Sequence, residues 1–135
     1  KCSPNSLANE IRQIAPPNVT FICESPSFEE LAHYIRKSAF VLAPYCPDSV
    51  LSSGILMDSL SFGSKIIGPE VGSFKDYARE KRLNVYTFHN YEDIEKTVAC
   101  YKTTPISFED YRSFLDENNW KHFGNRIIKL VKSLK

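Results

Sequence analysis

Two apolar runs separated by a helix-start signal constrain this chain more than any other feature. Residues 39–44 read Ala-Phe-Val-Leu-Ala-Pro, and residues 65–68 read Lys-Ile-Ile-Gly. A short apolar run without polar alternation is typical of a strand buried on both faces, as in parallel sheets covered by helices. Between the runs, Ser53 and Gly54 begin a predicted helix that ends at Gly63. The pattern predicts a strand, a helix and a second strand in one parallel sheet.

Strands and helices alternate along the rest of the chain. Apolar spacing predicts helices at residues 5–14, 28–38, 74–81 and 91–101, and β-rich runs predict strands at residues 18–23 and 84–88. We predict that residues 107–135 form a C-terminal helical segment in two pieces, divided near residues 118–124. We therefore expect one α/β domain over residues 1–135, a Rossmann-like, doubly wound parallel sheet in three layers, α/β/α.

Composition excludes several classes of function. The chain has 17 basic and 16 acidic residues and a net charge of +1, which gives no basis for bulk nucleic-acid binding. No apolar run approaches the roughly 20 residues that span a bilayer. The four cysteines share no C-x-x-C spacing, so we expect no metal site and a reducing, cytoplasmic setting.

The loops after the predicted strands are the expected binding region, since ligands of doubly wound sheets bind beyond the carboxyl ends of the strands. One of these loops leads into the step Ser52-Ser53-Gly54, which begins a helix. Unpaired N–H groups at a helix N-terminus favour phosphate, and Gly54 lets an anion approach the backbone closely. Asp58 follows about one turn later, where its carboxylate could accept two ribose hydroxyl groups. A nucleotide is the first ligand to expect.

Over half of the chain, residues 18–90, resembles the C-terminal domain of GT-B glycosyltransferases of the glycosyltransferase-4 type (glycosyl transferases group 1). The matching segments are Val-Thr-Phe-Ile at 19–22, Phe-Glu-Glu-Leu at 28–31, the apolar run at 39–44, Ser-Gly-Ile-Leu-Met-Asp-Ser-Leu at 53–60, Phe-Gly-Ser-Lys-Ile-Ile at 62–67 and Val-Gly-Ser at 71–73. The resemblance implies a domain that binds a nucleotide-diphosphate sugar, with the acceptor held by an N-terminal domain.

The resemblance places the family's diphosphate contacts on Ser52, Ser53 and Gly54. The alternative is structural, with Ser53 capping the helix and Gly54 easing its packing. The glycine-containing turn that faces the donor falls on Gly72 and Ser73, and an ordinary turn is the alternative there.

The family carries two acids eight positions apart, the second of which holds the ribose. Asp58 stands at the second position, although a solvated helix carboxylate would look the same in the sequence. Val50 stands at the first position and cannot hydrogen-bond a sugar, so this departure puts the sugar contact or activity itself in doubt. Asp48, two residues away, is the substitute we consider.

The segment that binds the nucleotide base in the family corresponds to Ser25 and Pro26. An ordinary turn between a strand and a helix would explain these residues equally well. The basic pair that offsets the charge of the leaving diphosphate would precede Lys1, so we expect the fold to be incomplete at its N-terminus and leave the catalytic residues unassigned. Lys65 is a poor substitute, because we expect it to be solvated at the start of a strand. His89 follows a strand and could face the site.

The resemblance therefore implies a cytoplasmic glycosyltransferase of polysaccharide biosynthesis, with a nucleotide sugar and a missing N-terminal acceptor domain as partners and with no metal cofactor. We expect residues 1–135 alone to be inactive. The alternatives are a non-catalytic GT-B-like binding or assembly module and a nucleotide-sugar epimerase-type domain.

Several interpretations stay open for the C-terminal helices. By resemblance the last helix packs on the N-terminal domain; it could equally pack on its own sheet. Solvated charge is the default role of its basic residues, and the alternative is contact with anionic lipid, as a peripheral protein at the inner membrane face.

Overall fold

The structure, a computed structural model, describes residues 7–22, 24–46 and 53–134 and contains two compact units, residues 1–31 and 32–135. Two of its helices precede the first strand, α1 (Leu7–Ile14) and α2 (Phe28–Lys37), and α2 crosses the boundary between the units. The remaining elements are β1 (Val41–Leu42), α3 (Gly54–Ser61), β2 (Ile66–Pro69), α4 (Gly72–Tyr77), β3 (Val85–Phe88), α5 (Glu92–Tyr101), α6 (Phe108–Glu117) and α7 (Trp120–Ser133).

The first unit does not contain the strand predicted at residues 18–23. Cys23 lies outside the described residues, and residues 18–22 form a turn and irregular backbone. The Val19 N–H donates to the Pro16 carbonyl at 2.9 Å, which closes a turn where the strand was expected to begin. Residues 18–22 make no ladder with any described strand, and β-propensity alone does not hold a segment extended without a partner.

The start of α2 agrees with the sequence. The Glu30 N–H donates to Ser27 Oγ at 3.2 Å, and the Ser27 N–H donates to Glu30 Oε2 at 2.8 Å. This reciprocal pair is the predicted capping box. The hydrogen bond from the Ser27 backbone is the main reason why the pKa of Glu30 lies below its ordinary value.

The second unit is built on a parallel sheet of three strands in the order β1-β2-β3. Val41 pairs with Ile66, and Ile66 pairs with Val85. The α/β class and the parallel sheet are confirmed. From β1 to β2 and from β2 to β3, the chain moves in the same direction across the sheet. A doubly wound sheet requires a reversal of this direction, and the described strands show none.

One face of the sheet carries the hydrophobic core. Ile66 and Val85 of the strands pack with residues of α3, α4 and α6, and Ala43 and Leu83, from the loops beside β1 and β3, complete the cluster. Its buried members are Ala43, Leu56, Leu60, Ile66, Phe74, Leu83, Val85, Tyr111 and Phe114. A Cβ added to Gly68 would fall against the ring of Phe74, so the glycine allows that ring to lie directly on the strand.

Helix α5 lies across the opposite face. Tyr101 stacks on Tyr86 of β3 with ring centroids 4.1 Å apart, so helices flank both faces of the sheet. Lys65 is buried here, with 5 % of its surface exposed, and its Nζ donates to the carbonyls of Tyr101 at 2.8 Å and Lys102 at 2.9 Å. The expectation that Lys65 is solvated is wrong, because its ammonium caps the C-terminus of α5.

The strands differ from prediction at their ends. β1 is shorter than residues 39–44, and Leu42 is 46 % exposed, so β1 is not buried on both faces. Pro69 ends β2 instead of following it, in register with Phe88. Proline is tolerated at this position because its missing N–H would face β1, which has already ended at Leu42.

The C-terminal segment is confirmed as two helices separated at Asn118 and Asn119. Tyr111 and Phe114 of α6 belong to the core, whereas α7, all of whose residues are described, buries none. The interpretation that the last helix packs on its own sheet is therefore wrong for α7. Among the described residues, no helix combines the length and apolar character needed to cross a bilayer.

Candidate functional site

The carboxyl edge of the sheet is defined by the residues that follow each strand. Glu70 follows β2 and His89 follows β3. The Glu70 N–H continues the ladder by donating to the Phe88 carbonyl at 3.0 Å. This places the two side chains next to each other, and His89 Nε2 lies 2.7 Å from Glu70 Oε2. The edge therefore presents a histidine and a carboxylate in contact.

Helix α3 begins at the same edge, because it follows β1 and runs back toward the start of β2. Ser53 is its N-cap, with extended backbone, and its Oγ accepts the Leu56 N–H at 3.3 Å. Ser53 is buried, with 7 % of its surface exposed. The Ser53 side chain therefore caps α3, which is the structural alternative to the predicted phosphate contact.

The backbone of the first turn of α3 is available to a ligand. The N–H groups of Gly54 and Ile55 have no intrahelical partner, as in any first turn. A Cβ built on Gly54 would meet no described atom within 4 Å, and the first turn of α3 carries no acidic side chain. Nothing in the described part of the chain would therefore obstruct an anion at these N–H groups, sterically or by like charge, and the helix dipole would favour it.

Asp58 lies one turn beyond Gly54 on the same side of α3, since residues four apart share a helix face. It is half-buried. Within the part of the chain that the structure describes, its carboxylate has neither a salt bridge nor a hydrogen bond. A half-buried carboxylate that keeps all its acceptor capacity can receive two neighbouring hydroxyl groups.

Gly72 and Ser73 open α4, directly after β2. Gly72 has φ 51°, a left-handed conformation that a side chain would disfavour. The Ser73 Oγ is buried and has no hydrogen-bond partner among the described residues. Buried hydroxyl groups are normally hydrogen-bonded. The Ser73 hydroxyl is therefore, after the Asp58 carboxylate, a second polar group that could hydrogen-bond a ligand at the carboxyl edge.

The other predicted site residues belong to the first unit or lie outside the described residues. Ser25 and Pro26 belong to the first unit, where both are exposed on irregular backbone before α2. Ser52, Val50 and Asp48 lie outside the described residues.

The sequence analysis did not name Glu70 or Tyr45 as site residues. Tyr45 lies after β1 with its ring 6.3 Å from that of Phe74, and it is partly exposed. Tyr45 directly follows a predicted strand and Glu70 follows another after Pro69, so both lie in loops expected to bind a ligand, and this position was the available signal. Neither belongs to a motif, so composition and spacing gave no reason to select them.

A second concave surface lies at the other end of the sheet, beside the C-terminus of α3. This cavity of about 370 Å³ includes Phe62, Gly63 and Phe108 on its apolar side and two arginines, Arg36 and Arg112. Arg36 lies over the Phe62 ring at 5.2 Å. Asp116 also lines the cavity, so its charge is mixed.

In the described part of the chain, no group of three or more His, Cys, Asp or Glu side chains is placed so that it could hold a metal ion. Among known proteins, no family model, no curated protein and no solved structure matches this chain.

Proposed function

We propose that the chain is the donor-binding domain of a glycosyltransferase and holds a nucleotide-diphosphate sugar at the carboxyl edge of the sheet. The observation that carries this proposal is the first turn of α3, where unpaired N–H groups lie beside Gly54 and no described atom occupies the space next to that glycine. A diphosphate is the part of such a donor that this arrangement suits best. The acceptor would be bound by a further domain.

Asp58 has the second role in the proposal. A diphosphate at the N-terminus of α3 would leave the attached ribose about one helical turn away, on the side of α3 that carries Asp58. The carboxylate would accept the ribose hydroxyls. Ser73, whose buried Oγ lacks a partner among the described residues, would supply a further polar contact from α4.

Sugar transfer requires that the negative charge developing on the leaving diphosphate be stabilised. Backbone N–H groups fixed in a helix do this without reorganising, and they require no metal ion. Lys65 does not contribute, because its ammonium is bonded to the carbonyls at the end of α5. The proposal therefore leaves the family's basic pair unassigned among the described residues.

Two alternatives follow from particular residues. Val50, in place of the first family acid, favours a non-catalytic GT-B-like binding or assembly module. The contact between Glu70 and His89 favours an epimerase-type domain, which needs an acid and a base beside the bound sugar. The epimerase-type alternative keeps the nucleotide site at α3, whereas the binding or assembly module does not require it.

The test is a titration of the 135-residue chain with UDP, GDP, ADP and dTDP, followed by calorimetry and by the backbone amide NMR spectrum. We expect saturable binding of one nucleotide and shifts of the Gly54 and Ile55 amide signals. Asp58→Ala should weaken binding several-fold, whereas Asp116→Ala, which removes an exposed carboxylate of α6, should not. A folded chain that binds none of the four nucleotides would overturn the proposal.

A further assay separates the alternatives once a base is identified. Incubating the chain, extended by its acceptor domain, with the matching nucleotide sugar should release nucleoside diphosphate if it is a transferase. An epimerase would change the sugar configuration, visible in the proton spectrum, without release, and His89→Gln should abolish that change. Binding with neither reaction would favour the non-catalytic module.

A further inference from the structure

Helix α7 exposes an apolar surface that no other described element covers. Its large apolar side chains range in exposure from 45 % for Ile127 to 85 % for Trp120. The exposed set is Trp120, Phe123, Ile127, Ile128, Leu130 and Val131, continued by Leu134 directly after the helix. For a described helix of 14 residues at the end of a globular unit, this is a large uncovered apolar face.

The side chains of α7 are fully segregated by type. At the helical repeat of about 3.6 residues per turn, every large apolar residue falls on one side of the axis. The opposite side carries Lys121, His122, Asn125, Arg126, Lys129, Lys132 and Ser133. Such separation along the whole helix indicates that it lies at a boundary between an apolar and an aqueous phase.

The polar side of α7 carries charge of one sign only. It has four Lys or Arg side chains, and residues 120–134 contain no Asp or Glu. The chain as a whole is almost balanced, with 17 basic and 16 acidic residues, so this excess belongs to the helix and not to the general composition. The surface complementary to α7 is therefore apolar in its interior and negatively charged at its rim.

A second copy of α7 does not meet this description. Packing two such helices by their apolar sides would bring the flanking lysines of one copy toward those of the other, and like charges at such a rim oppose association. An anionic bilayer meets both requirements, because its acyl chains accept the apolar side and its phosphates accept lysine and arginine. The position of Trp120 at one end of the apolar side is typical of residues at the membrane–water interface.

We propose that α7 binds the surface of a membrane containing anionic lipid, lying in the plane of the interface with Phe123, Ile127 and Leu130 toward the acyl chains. Lys121, Arg126, Lys129 and Lys132 contact lipid phosphates. This inference does not depend on the nucleotide site, since no described residue of α7 contributes to the carboxyl edge of the sheet. It replaces the expectation, implied by the resemblance, that the last helix packs on an N-terminal domain.

The test uses Trp120, the only tryptophan of the chain and hence its only indole reporter. Vesicles of equal parts phosphatidylglycerol and phosphatidylcholine should shift its emission to shorter wavelength and carry the protein into the pellet on centrifugation. Vesicles of phosphatidylcholine alone should do neither, and added salt should weaken binding to the anionic vesicles.

Matched variants separate the charge from the apolar contribution. The double charge reversal Lys129→Glu with Lys132→Glu should reduce binding to anionic vesicles by at least about tenfold. The control reverses two exposed lysines elsewhere, Lys37→Glu with Lys81→Glu, and should leave binding largely unchanged. Ile127→Asp should abolish the emission shift. Because α7 buries no side chain, all three variants should keep the circular dichroism and melting temperature of the parent.

Three results would overturn the inference. One is the absence of any Trp120 shift with anionic vesicles, and another is equal binding by the Lys129→Glu, Lys132→Glu variant. The third is Trp120 emission already at short wavelength without vesicles, together with a dimer that Ile127→Asp dissociates, which would assign the apolar side to a second copy. A failed nucleotide titration would leave the vesicle result unaffected.

Discussion

Glu70 and His89 are joined by a contact of 2.7 Å across the carboxyl ends of β2 and β3. The contact follows from the register, because Pro69 pairs with Phe88 and the next residue of each strand is therefore adjacent to its neighbour. His89 is largely exposed and Glu70 only partly so, which leaves one face of the pair open to solvent. A single-residue shift in register would separate the two side chains.

We expect this pair to matter little for stability. Glu70→Gln and His89→Gln should each change the free energy of unfolding by less than about 1 kcal/mol, since exposed ion pairs contribute little. Urea denaturation followed by circular dichroism would measure this. A loss above about 2 kcal/mol would contradict the expectation and indicate a buried network instead of a surface pair available to a ligand.

Gly68→Ala should be strongly destabilising. The new Cβ would overlap the Phe74 ring, which is fully buried. Overpacking of this kind costs about 1–3 kcal/mol, more than the gain from replacing a strand glycine. Denaturation in urea gives the value.

Gly124→Ala is the matched control for Gly68→Ala. Its Cβ would meet no described atom within 4 Å, and it lies inside a helix, where alanine is favoured. It should be neutral or stabilising by up to about 1 kcal/mol. Equal losses of stability for the two variants would show that Phe74 does not lie against Gly68.

Tyr111→Phe should destabilise the second unit by about 1–3 kcal/mol, because it leaves a buried donor unpaired. The Asn84 N–H donates to Tyr111 Oη at 2.9 Å. The hydroxyl in turn lies 3.2 Å from the Ser64 carbonyl and 3.1 Å from Asn84 Oδ1, and its single hydrogen can serve one of them. A thermal melt at neutral pH would detect the loss.

The same hydroxyl predicts a dependence on alkaline pH. Burial raises the pKa of Tyr111 to about 12, above the value of about 10 for an unfolded tyrosine. A raised pKa in the folded state means that stability is complete below pH about 10 and is lost as pH rises toward about 12. The parent chain should therefore lose more stability over this range than Tyr111→Phe does. Equal losses would show that the hydroxyl is not buried.

Lys65→Met should also destabilise, by about 1–3 kcal/mol, because the two carbonyls at the end of α5 would lose their donor. Lys81→Met, at an exposed lysine, should stay within about 0.5 kcal/mol of the parent. If Lys65→Met reduced nucleotide affinity without reducing stability, its assignment as a cap of α5 would be wrong.

The sequence predicted the parts of the fold that local signals determine. The start of α3 near Ser53, the capping box at Ser27 and Glu30, and the break between α6 and α7 are all confirmed, as is Gly63 after α3, which has φ 70°. The cap that Ser53 forms is the structural alternative to the diphosphate contact that the resemblance implies. Each is set by hydrogen bonds or backbone preferences within a few residues. The strands β2 and β3 were also located to within a residue or two.

Features that depend on distant partners were not predictable in this way. A β-rich run at residues 18–22 without a pairing strand stays irregular, and Lys65 is buried because of carbonyls on a helix far along the chain. The candidate site shows the same difference between features set by local sequence and features set by distant partners. The capping role of Ser53 and the open backbone at Gly54 follow from local pattern, whereas the contact between Glu70 and His89 requires the register of two strands.

The order β1-β2-β3 also bears on how quickly this sheet can assemble. Each described strand pairs with the next one along the chain, and each connection contains one described helix. Closing such short loops costs little entropy, so β2, α4 and β3 form a natural nucleus to which β1 and α6 can add. For a parallel sheet, whose pairings are usually remote in sequence, we therefore expect folding rates closer to those of proteins rich in local contacts.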